Sequence, residues 1–462
     1  MRPARWRRST HLLIGVAVLV TVAVVVTLAV MLTGHGSTGG AASVTDAPAA
    51  PTAKPAVIPV AEDAPKPTQT GMAAALTPPL SNPDLGRLTG RVTDALSGKE
   101  LWQQGSTVPM LPASTNKVLT AGAALLSLGR DARQTTTVVA ANQSDHPGLV
   151  VLVGGGDPTL SSAAPGQKTL YDNAARISDL ATQVRDSGIK VTAIQVDGSM
   201  FSGASLASGW DPGDIEGGDV APIEAVMVDG GRVQPLTPDS VRSVTPALDA
   251  GRVLARALNV DPKAVTIANV PVRDAHQIAS VQSAPLITRL TEMMNHSDNV
   301  MAECIAREVA MATGKPASFG GAVEAVTKAL STAGIDMTGA TLQDSSGLSV
   351  DDRLTARTLD GVMGTASGQD HPEMRPLLDL LPIAGGSGTL SNRFTSDQTG
   401  TAAGWLRAKT GSLTHVNTLA GIVTDMSGRV LTFALMSNDA GPTGLTALDA
   451  LAVTLRSCGC GS

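Results

Sequence analysis

The stretch that decides the fold is Pro112-Ala-Ser-Thr-Asn-Lys-Val-Leu-Thr-Ala-Gly-Ala-Ala-Leu125. Apolar and small residues fill it, and Lys117 is its one charged residue, which predicts a buried helix. A proline directly ahead of the first turn is typical of a helix start, so Ser114 is expected in that turn. Residues three apart share one helix face, so Ser114 and Lys117 should lie within reach of each other.

This stretch contains the pattern S-x-x-K, and two further short motifs follow it along the chain. They are Ser297-Asp298-Asn299 and Lys409-Thr410-Gly411. The three motifs in this order are the signature of penicillin-binding proteins and serine β-lactamases. K-T-G fixes three residues and is therefore rarer by chance than S-x-x-K, so the ordered set carries the prediction.

The first two motifs supply the parts of an activated serine. The hydroxyl of Ser114 is a weak nucleophile until a base takes its proton. Lys117 can be that base if burial or a nearby cation depresses its pKa, and Lys409 would supply such a cation. Ser297 can relay a proton to a leaving amine, and Asn299 can hold Lys117 and the substrate amide.

The third motif supplies the parts that bind a substrate. Lys409 and Thr410 suit a carboxylate, and Gly411 would let a substrate strand lie close against the sheet edge. The backbone N–H groups of Ser114 and Ser412 would form the oxyanion hole.

Two other matches are interpreted as chance. Ser187-Gly-Ile-Lys190 is a second S-x-x-K, but Gly188 reads as the cap of a helix that ends there. Tyr171-Asp-Asn173 matches a Tyr-x-N pattern that replaces S-x-N in some β-lactamases. It is interpreted as the start of a surface helix, because Ser297-Asp298-Asn299 has better flanks.

Periodicity places the motifs among helices and strands, with strands late in the chain. The predicted elements are a hairpin of 91–94 and 101–103, strands at 149–153, 191–196, 404–409, 416–424 and 429–436, and helices at 171–186, 287–310 with a break near 295–298, and 445–457.

From about Leu80 to Leu455 the chain resembles the class C low-molecular-mass penicillin-binding proteins, the D-alanyl-D-alanine carboxypeptidase/endopeptidase family of DacB type. Ser297 follows Ser114 by 183 residues, too long for a compact β-lactamase but suited to a family with inserted domains. The stretches that carry the resemblance are 112–120, 152–160, 297–303, 344–349 and 409–412.

The resemblance implies an α/β (α+β) fold, with a penicillin-binding or serine β-lactamase-like catalytic domain. Its first segment would be 80–131 and its second segment 283–462, with one or more inserted domains at 132–282 between the first and second motifs. The family pattern Asp-Gly-Ser-Gly-Leu-Ser appears here as Asp344-Ser-Ser-Gly-Leu-Ser349, with a serine in place of one glycine, which is a small departure.

The resemblance also implies a serine DD-peptidase of peptidoglycan that β-lactams inhibit and that needs no cofactor. Such an enzyme removes the terminal D-Ala of stem pentapeptides, and cleavage of cross-links stays open. Ser114 would be acylated, Lys117 would be the general base, and Ser297 and Asn299 would shuttle protons. Lys409, Thr410 and Ser412 would bind the terminal carboxylate.

The N-terminus points to export. Four arginines between Arg2 and Arg8 precede an uncharged apolar run from Leu12 to Leu32, long enough for a helix of about 30 Å. The basic flank places the N-terminus in the cytoplasm and the body outside. Residues 1–33 are therefore expected to be a cytoplasmic flank and single-pass membrane anchor, with a cleaved signal peptide as the alternative.

Residues 34–79 hold eight prolines and no aromatic residue, which favours a disordered or polyproline-like tether. The net charge is −6 although the N-terminal arginines add +4, and aromatic residues make up 2%. A chain without a basic stripe or stacking platforms is a poor binder of nucleic acid.

The three cysteines form no disulfide framework. Cys304 reads as a small core residue, and the pairing of Cys458 and Cys460 is open. The seven histidines show no ligand spacing, so no metal site is expected.

Two rival functions remain at this stage. A β-lactamase would need a base for its deacylating water, and the chain has no E-x-x-x-N motif at a short interval after Ser114. A non-catalytic penicillin-binding wall scaffold is disfavoured because all three motifs are intact.

Overall fold

The computed structural model describes residues 62–268 and 275–459. The expected anchor at 1–33, the first part of the expected tether and Cys460 lie outside the described residues. Within those two ranges, no helix is long and apolar enough to cross a membrane.

The described chain contains both helices and strands, and the predicted late strands and flanking helices are present. The strands are β1 (Arg87–Asp94), β2 (Glu100–Gln104), β3 (Thr135–Ala140), β4 (Leu149–Val153), β5 (Ala193–Asp197), β6 (Val265–Ile267), β7 (His276–Gln282), β8 (Leu406–Leu413), β9 (Val416–Thr424) and β10 (Val430–Asn438). The helices are α1 (Gln69–Leu80), α2 (Lys117–Ser127), α3 (Ile177–Asp186), α4 (Gly213–Gly217), α5 (Pro246–Ala257), α6 (Leu286–His296), α7 (Asn299–Ala312), α8 (Phe319–Thr332), α9 (Ala356–Ser367), α10 (Leu377–Leu380) and α11 (Gly444–Ser457).

One antiparallel sheet joins both ends of the described chain, in the strand order β2-β1-β10-β9-β8. Successive side chains of a strand point to opposite faces of the sheet. The central strands have apolar residues at both sets of positions, so both faces of the sheet are apolar. Leu419 and Phe433 enter one core with α1 and α11. Ala420 and Ala434 enter the other core with α2, α7, α8 and α9. The sheet therefore lies between two helical layers, and α2 is buried as predicted.

The middle of the chain builds a second sheet, in the order β6-β5-β4-β3-β7. β3 pairs antiparallel with β4 and β7, whereas β4, β5 and β6 are parallel. Helices α3 and α5 pack on this sheet around Val150, Leu152 and Val196. All five strands fall between residues 135 and 282, inside the range expected for inserted material, whose boundaries stay a prediction.

The tether expected at residues 34–79 overlaps a helix of the folded part. Residues 69–80 form helix α1, which buries Met72 and Leu76 completely against the core that contains α11. Two buried apolar side chains four apart outweigh the proline-rich composition. Pro78 and Pro79 lie in the last turn of the helix.

The helix predicted for 171–186 begins only at Ile177. Backbone groups of residues 171–176 have partners outside this helix. The N–H of Asp172 donates to Glu292 Oε1 at 3.0 Å, and Arg176 forms an isolated β-bridge with Ser161. Tertiary partners take these backbone groups, so the helix cannot start earlier. Ser187 caps the end of this helix and Gly188 has φ of +76°, as expected for a chance S-x-x-K.

Candidate active site

Ser114 lies in a single 3₁₀ turn, Ala113–Asn116, that leads directly into α2. The preceding Ala113 has φ of +46°, an unfavourable angle for a residue with a Cβ, and such strain is concentrated at functional sites. Lys117 opens α2 and is fully buried, and its Nζ lies 2.9 Å from Ser114 Oγ. The structure thus brings these two side chains together as the helical spacing predicts.

The S-D-N motif forms the turn between α6 and α7. Ser297 adopts the left-handed conformation at φ of +55°, which ends α6 and breaks the helical pattern where the sequence predicts. Asp298 then caps α7, accepting the N–H of Met301 at 3.0 Å. Asn299 is the first residue of α7, and its Oδ1 accepts a hydrogen bond from Lys117 Nζ at 2.6 Å.

The K-T-G motif lies on β8, the edge strand of the first sheet. Lys409 is fully buried and its Nζ lies 2.9 Å from Ser297 Oγ. The three motifs therefore meet in one place, with Lys117 linking the first to the second and Lys409 linking the second to the third.

The outer edge of β8 is open where the site needs it. The N–H of Ala408 donates outward to Pro382 O at 3.0 Å, so the strand's first half is covered. Backbone groups two apart face the same edge, so the N–H of Ser412 also faces outward, and this residue is exposed. Thr410 Oγ1 donates to Thr389 Oγ1 at 2.8 Å on the same side.

Gly411 has a different contact from the one predicted. A Cβ built on it would lie 2.2 Å from Thr418 Oγ1 and 2.8 Å from Pro112 O. The space that the glycine leaves open is filled by the Ser114 turn packing on the strand. The expectation that Gly411 admits a substrate strand is not supported by this contact.

Burial dominates the electrostatics of the two lysines. It lowers the pKa of the Lys117 ammonium to about 8, although the carboxylates of Asp344, Asp298 and Glu303 oppose this shift. Burial, and then repulsion from Lys117, hold the pKa of Lys409 well below its usual value. Lys117 is therefore poised to lose its proton near neutral pH, as a general base requires.

A cleft of about 1020 Å³ opens above Ser114. Besides the three motifs, residues from the middle of the chain line it, including Tyr171, Asp219 and Arg232. Described residues give no cluster of His, Cys, Asp or Glu side chains that could hold a metal ion.

Tyr171 lies at this site and not on a surface helix. Its hydroxyl donates to Asp298 Oδ2 at 2.7 Å and accepts from Arg232 Nη1 at 2.7 Å. Burial opposes ionisation of Asp298, but Arg232 and Arg242 hold the pKa of its carboxyl below its usual range. The signal that could have found Tyr171 is its rarity, because it is the only tyrosine in the sequence.

The segment Asp344–Ser349, to which no role was assigned from the sequence, also contacts the site. The carbonyl of Ser346 accepts a third hydrogen bond from Lys117 Nζ, at 2.8 Å. Gly347 has φ of +82°, and a Cβ there would lie 1.9 Å from Ala113 O. The segment therefore packs directly on the Ser114 turn.

Comparison with known proteins gives one family for this body. The model described as D-Ala-D-Ala carboxypeptidase 3 (S13) family matches residues 72–239 and 236–457. A second model, described as Carboxypeptidase Rv3627c-like, N-terminal domain, matches residues 1–59.

Relatives match over the whole chain. Carboxypeptidase DacB of Mycolicibacterium smegmatis is 64% identical, and Carboxypeptidase Rv3627c of Mycobacterium tuberculosis is 61% identical, each covering 100% of both chains. The crystal structure of penicillin binding protein 4 (dacB) from Haemophilus influenzae has a TM-score of 0.70 at 21% identity, over 84% of this chain and 99% of that one. This likeness confirms the predicted fold class.

Proposed function

Since the chain belongs to the D-Ala-D-Ala carboxypeptidase 3 (S13) family, we propose that Ser114 is the nucleophile of its reaction and Lys117 the general base. The chain is a serine-type D-Ala-D-Ala carboxypeptidase with a penicillin-binding fold, as the resemblance implied. The observation that carries the assignment is the 2.9 Å contact between Lys117 Nζ and Ser114 Oγ.

Acylation follows from the positions of the side chains. Neutral Lys117 takes the proton of Ser114 Oγ, which attacks the carbonyl carbon of the penultimate D-Ala. The N–H groups of Ser114 and Ser412 stabilise the oxyanion. As the C–N bond breaks, Ser297 relays to the leaving amine the proton that Lys117 took from Ser114, so both side chains return to their starting state and D-Ala departs. Water then hydrolyses the ester and restores Ser114.

The remaining site residues hold the substrate and the base. Thr410 lines the cleft beside the open edge of β8, where a terminal carboxylate would meet it. The fully buried Lys409 lies behind it and donates from Nζ to Thr410 O at 2.8 Å, so its charge would act on that carboxylate from below. Asn299 fixes Lys117 through Oδ1, while its Nδ2 donates to Asp219 O at 3.0 Å. Gly411 serves the site by letting the Ser114 turn approach β8.

The substrate is the peptidoglycan stem peptide, and β-lactams would acylate the same serine. Muropeptide mass spectrometry with the full chain tests this. The wild type is expected to remove terminal D-Ala, and Ser114→Ala is expected to remove none. Loss of cross-linked dimers with the wild type would add endopeptidase activity, whereas D-Ala release by Ser114→Ala would contradict the proposal.

We also propose that the catalytic body is extracytoplasmic and held by a single-pass anchor at residues 12–32. The support is the uncharged apolar run with its basic flank. Fluorescent penicillin labelling after cell fractionation tests this. A labelled full-length band in the membrane fraction is expected, and a band found only in the medium would instead favour a cleaved signal peptide.

A further inference from the structure

Glu303 lies one helical turn after Asn299, on the same face of α7, and is fully buried. Its Oε1 accepts the backbone N–H groups of Ser345 and Ser346, both at 2.8 Å. Its Oε2 lies 3.3 Å from Arg307 Nη1. The carboxylate of Glu303 therefore holds the segment Asp344–Ser349 by hydrogen bonds from the side of α7.

The other side of the same segment is held by the start of α2. Its consecutive carbonyls accept hydrogen bonds from side chains that share one face of that region. These pairs are Asn116 Nδ2 to Asp344 O at 3.2 Å, Thr120 Oγ1 to Ser345 O at 2.6 Å, and Lys117 Nζ to Ser346 O at 2.8 Å.

Resting on the proposed role of Lys117 as base, we propose that Glu303 is a positioning residue for that lysine. Glu303 fixes the two peptide N–H groups, and the Ser346 carbonyl, thereby placed, fixes the ammonium of Lys117 next to Ser114. The helix that carries Asn299 thus aligns the base twice, once through Asn299 directly and once through Glu303 and the 345–346 peptides.

Charge acts along the same route. The titratable and charged groups that face Glu303 are Lys117 across the segment, Arg307 on α7, Asp344 in the segment, and Asp352 after it, whose pKa burial and Asp344 raise to about 10. Burial and then Asp344 raise the pKa of the Glu303 carboxyl to about 7, against the effect of Arg307. Arg307 is held over the ring of Phe319 at 4.1 Å, so it cannot follow a moved partner freely.

Replacing Glu303 should therefore change the acidity of Lys117. The negative charge of Glu303 raises the pKa of Lys117, as do those of Asp298 and Asp344. Glu303→Gln removes one of the three, so the pKa of Lys117 falls. The acidic limb of the pH–rate profile, where the rate rises as Lys117 loses its proton, then moves to lower pH. A residue that served only the stability of the fold would not move that limb.

The test is the second-order rate of acylation by fluorescent penicillin, measured from pH 6 to 10 on the full chain. Glu303→Gln is expected to lower the plateau rate about tenfold to a hundredfold through misplacement of the base. It is also expected to shift the acidic limb to lower pH. Glu303→Asp keeps the charge but shortens the reach, so its rate should fall without that shift.

Glu308→Gln is the matched control, since Glu308 is a buried carboxylate on the same helix that pairs with Arg289 Nη1 at 2.7 Å. It should lower the unfolding temperature and leave the acylation rate and its pH limb unchanged. Wild-type rates in both Glu303 variants, or equal losses in Glu308→Gln, would overturn the inference. If wild type itself is not acylated, the proposed function fails instead.

Discussion

At the scale of single residues, the ionisation of Lys117 sets the pH dependence. Its pKa is lowered to about 8, and only the neutral amine can accept the proton of Ser114. The rate of acylation by penicillin should therefore rise as pH increases from 6 to about 9. Stopped-flow labelling checks this, and a rate that is flat over this range would contradict a lysine base.

Gly411 makes a second prediction at this scale. In Gly411→Ala the new Cβ would push the Ser114 turn off β8, because Pro112 O and Ala113 Cβ would lie only 2.8 and 3.0 Å away. Acylation should fall about a hundredfold, since a misplacement near 1 Å has that effect. Gly364→Ala on α9 is the control, as nothing lies within 4 Å of its Cβ, and it should keep the wild-type rate.

The motif residues could be predicted from the sequence because the reaction fixes their types and Ser114 and Lys117 are neighbours on one helix. Tyr171 and Glu303 could not. Their partners Asp298 and Ser345 lie 127 and 42 residues away, and only the folded chain brings them together. The periodicity of a short window of sequence gives no information on contacts between residues so far apart.

At the scale of elements, α1 is predicted to be part of the folded body. Leu76→Ala should lower the free energy of unfolding by about 2–5 kcal/mol, because the side chain is fully buried. Thr77→Ala, on the exposed face of α1, should change it by less than about 0.5 kcal/mol. Urea denaturation measures both, and equal stabilities would mean that residues 69–80 are a tether after all.

The helix α1 was missed because few of its residues are buried. The sequence pattern near Gln69 is dominated by Pro, Ala and Thr, and Met72 and Leu76 are the two residues of α1 that are fully buried. In contrast, β9 and β10 run apolar for most of their length, and their positions were predicted to within two residues. Elements with many buried positions can be read from sequence more reliably than elements with few.

At the scale of the whole molecule, the middle of the chain supports the catalytic residues. Trp210 Nε1 donates to Asp344 Oδ2 at 2.8 Å, and its ring packs edge-on against Phe319 with centroids 5.2 Å apart. Trp210→Phe keeps an aromatic ring but removes one of the two donors to Asp344 Oδ2, which keeps the N–H of Ser349 at 2.8 Å, so stability should fall by about 0.5–1.5 kcal/mol. The acylation rate should also fall, because Asp344 precedes the carbonyl that holds Lys117.

Trp405→Phe is the control for that prediction, because Trp405 is 53% exposed and stacks over Arg456. It should leave acylation unchanged. Equal acylation rates for Trp210→Phe and the wild type would mean that the hydrogen bond from Trp210 to Asp344 does not contribute to the reaction.

The pair of buried lysines has a consequence for binding. Two buried amines in one site cannot both be charged easily, and burial and the neighbouring Lys117 lower the pKa of Lys409. An arriving carboxylate is a counterion, so its binding should draw a proton from the solution. Calorimetric titration of Ser114→Ala with a stem peptide should then give heats that depend on the ionisation enthalpy of the buffer. Identical heats in phosphate and Tris would mean that substrate enters without proton uptake.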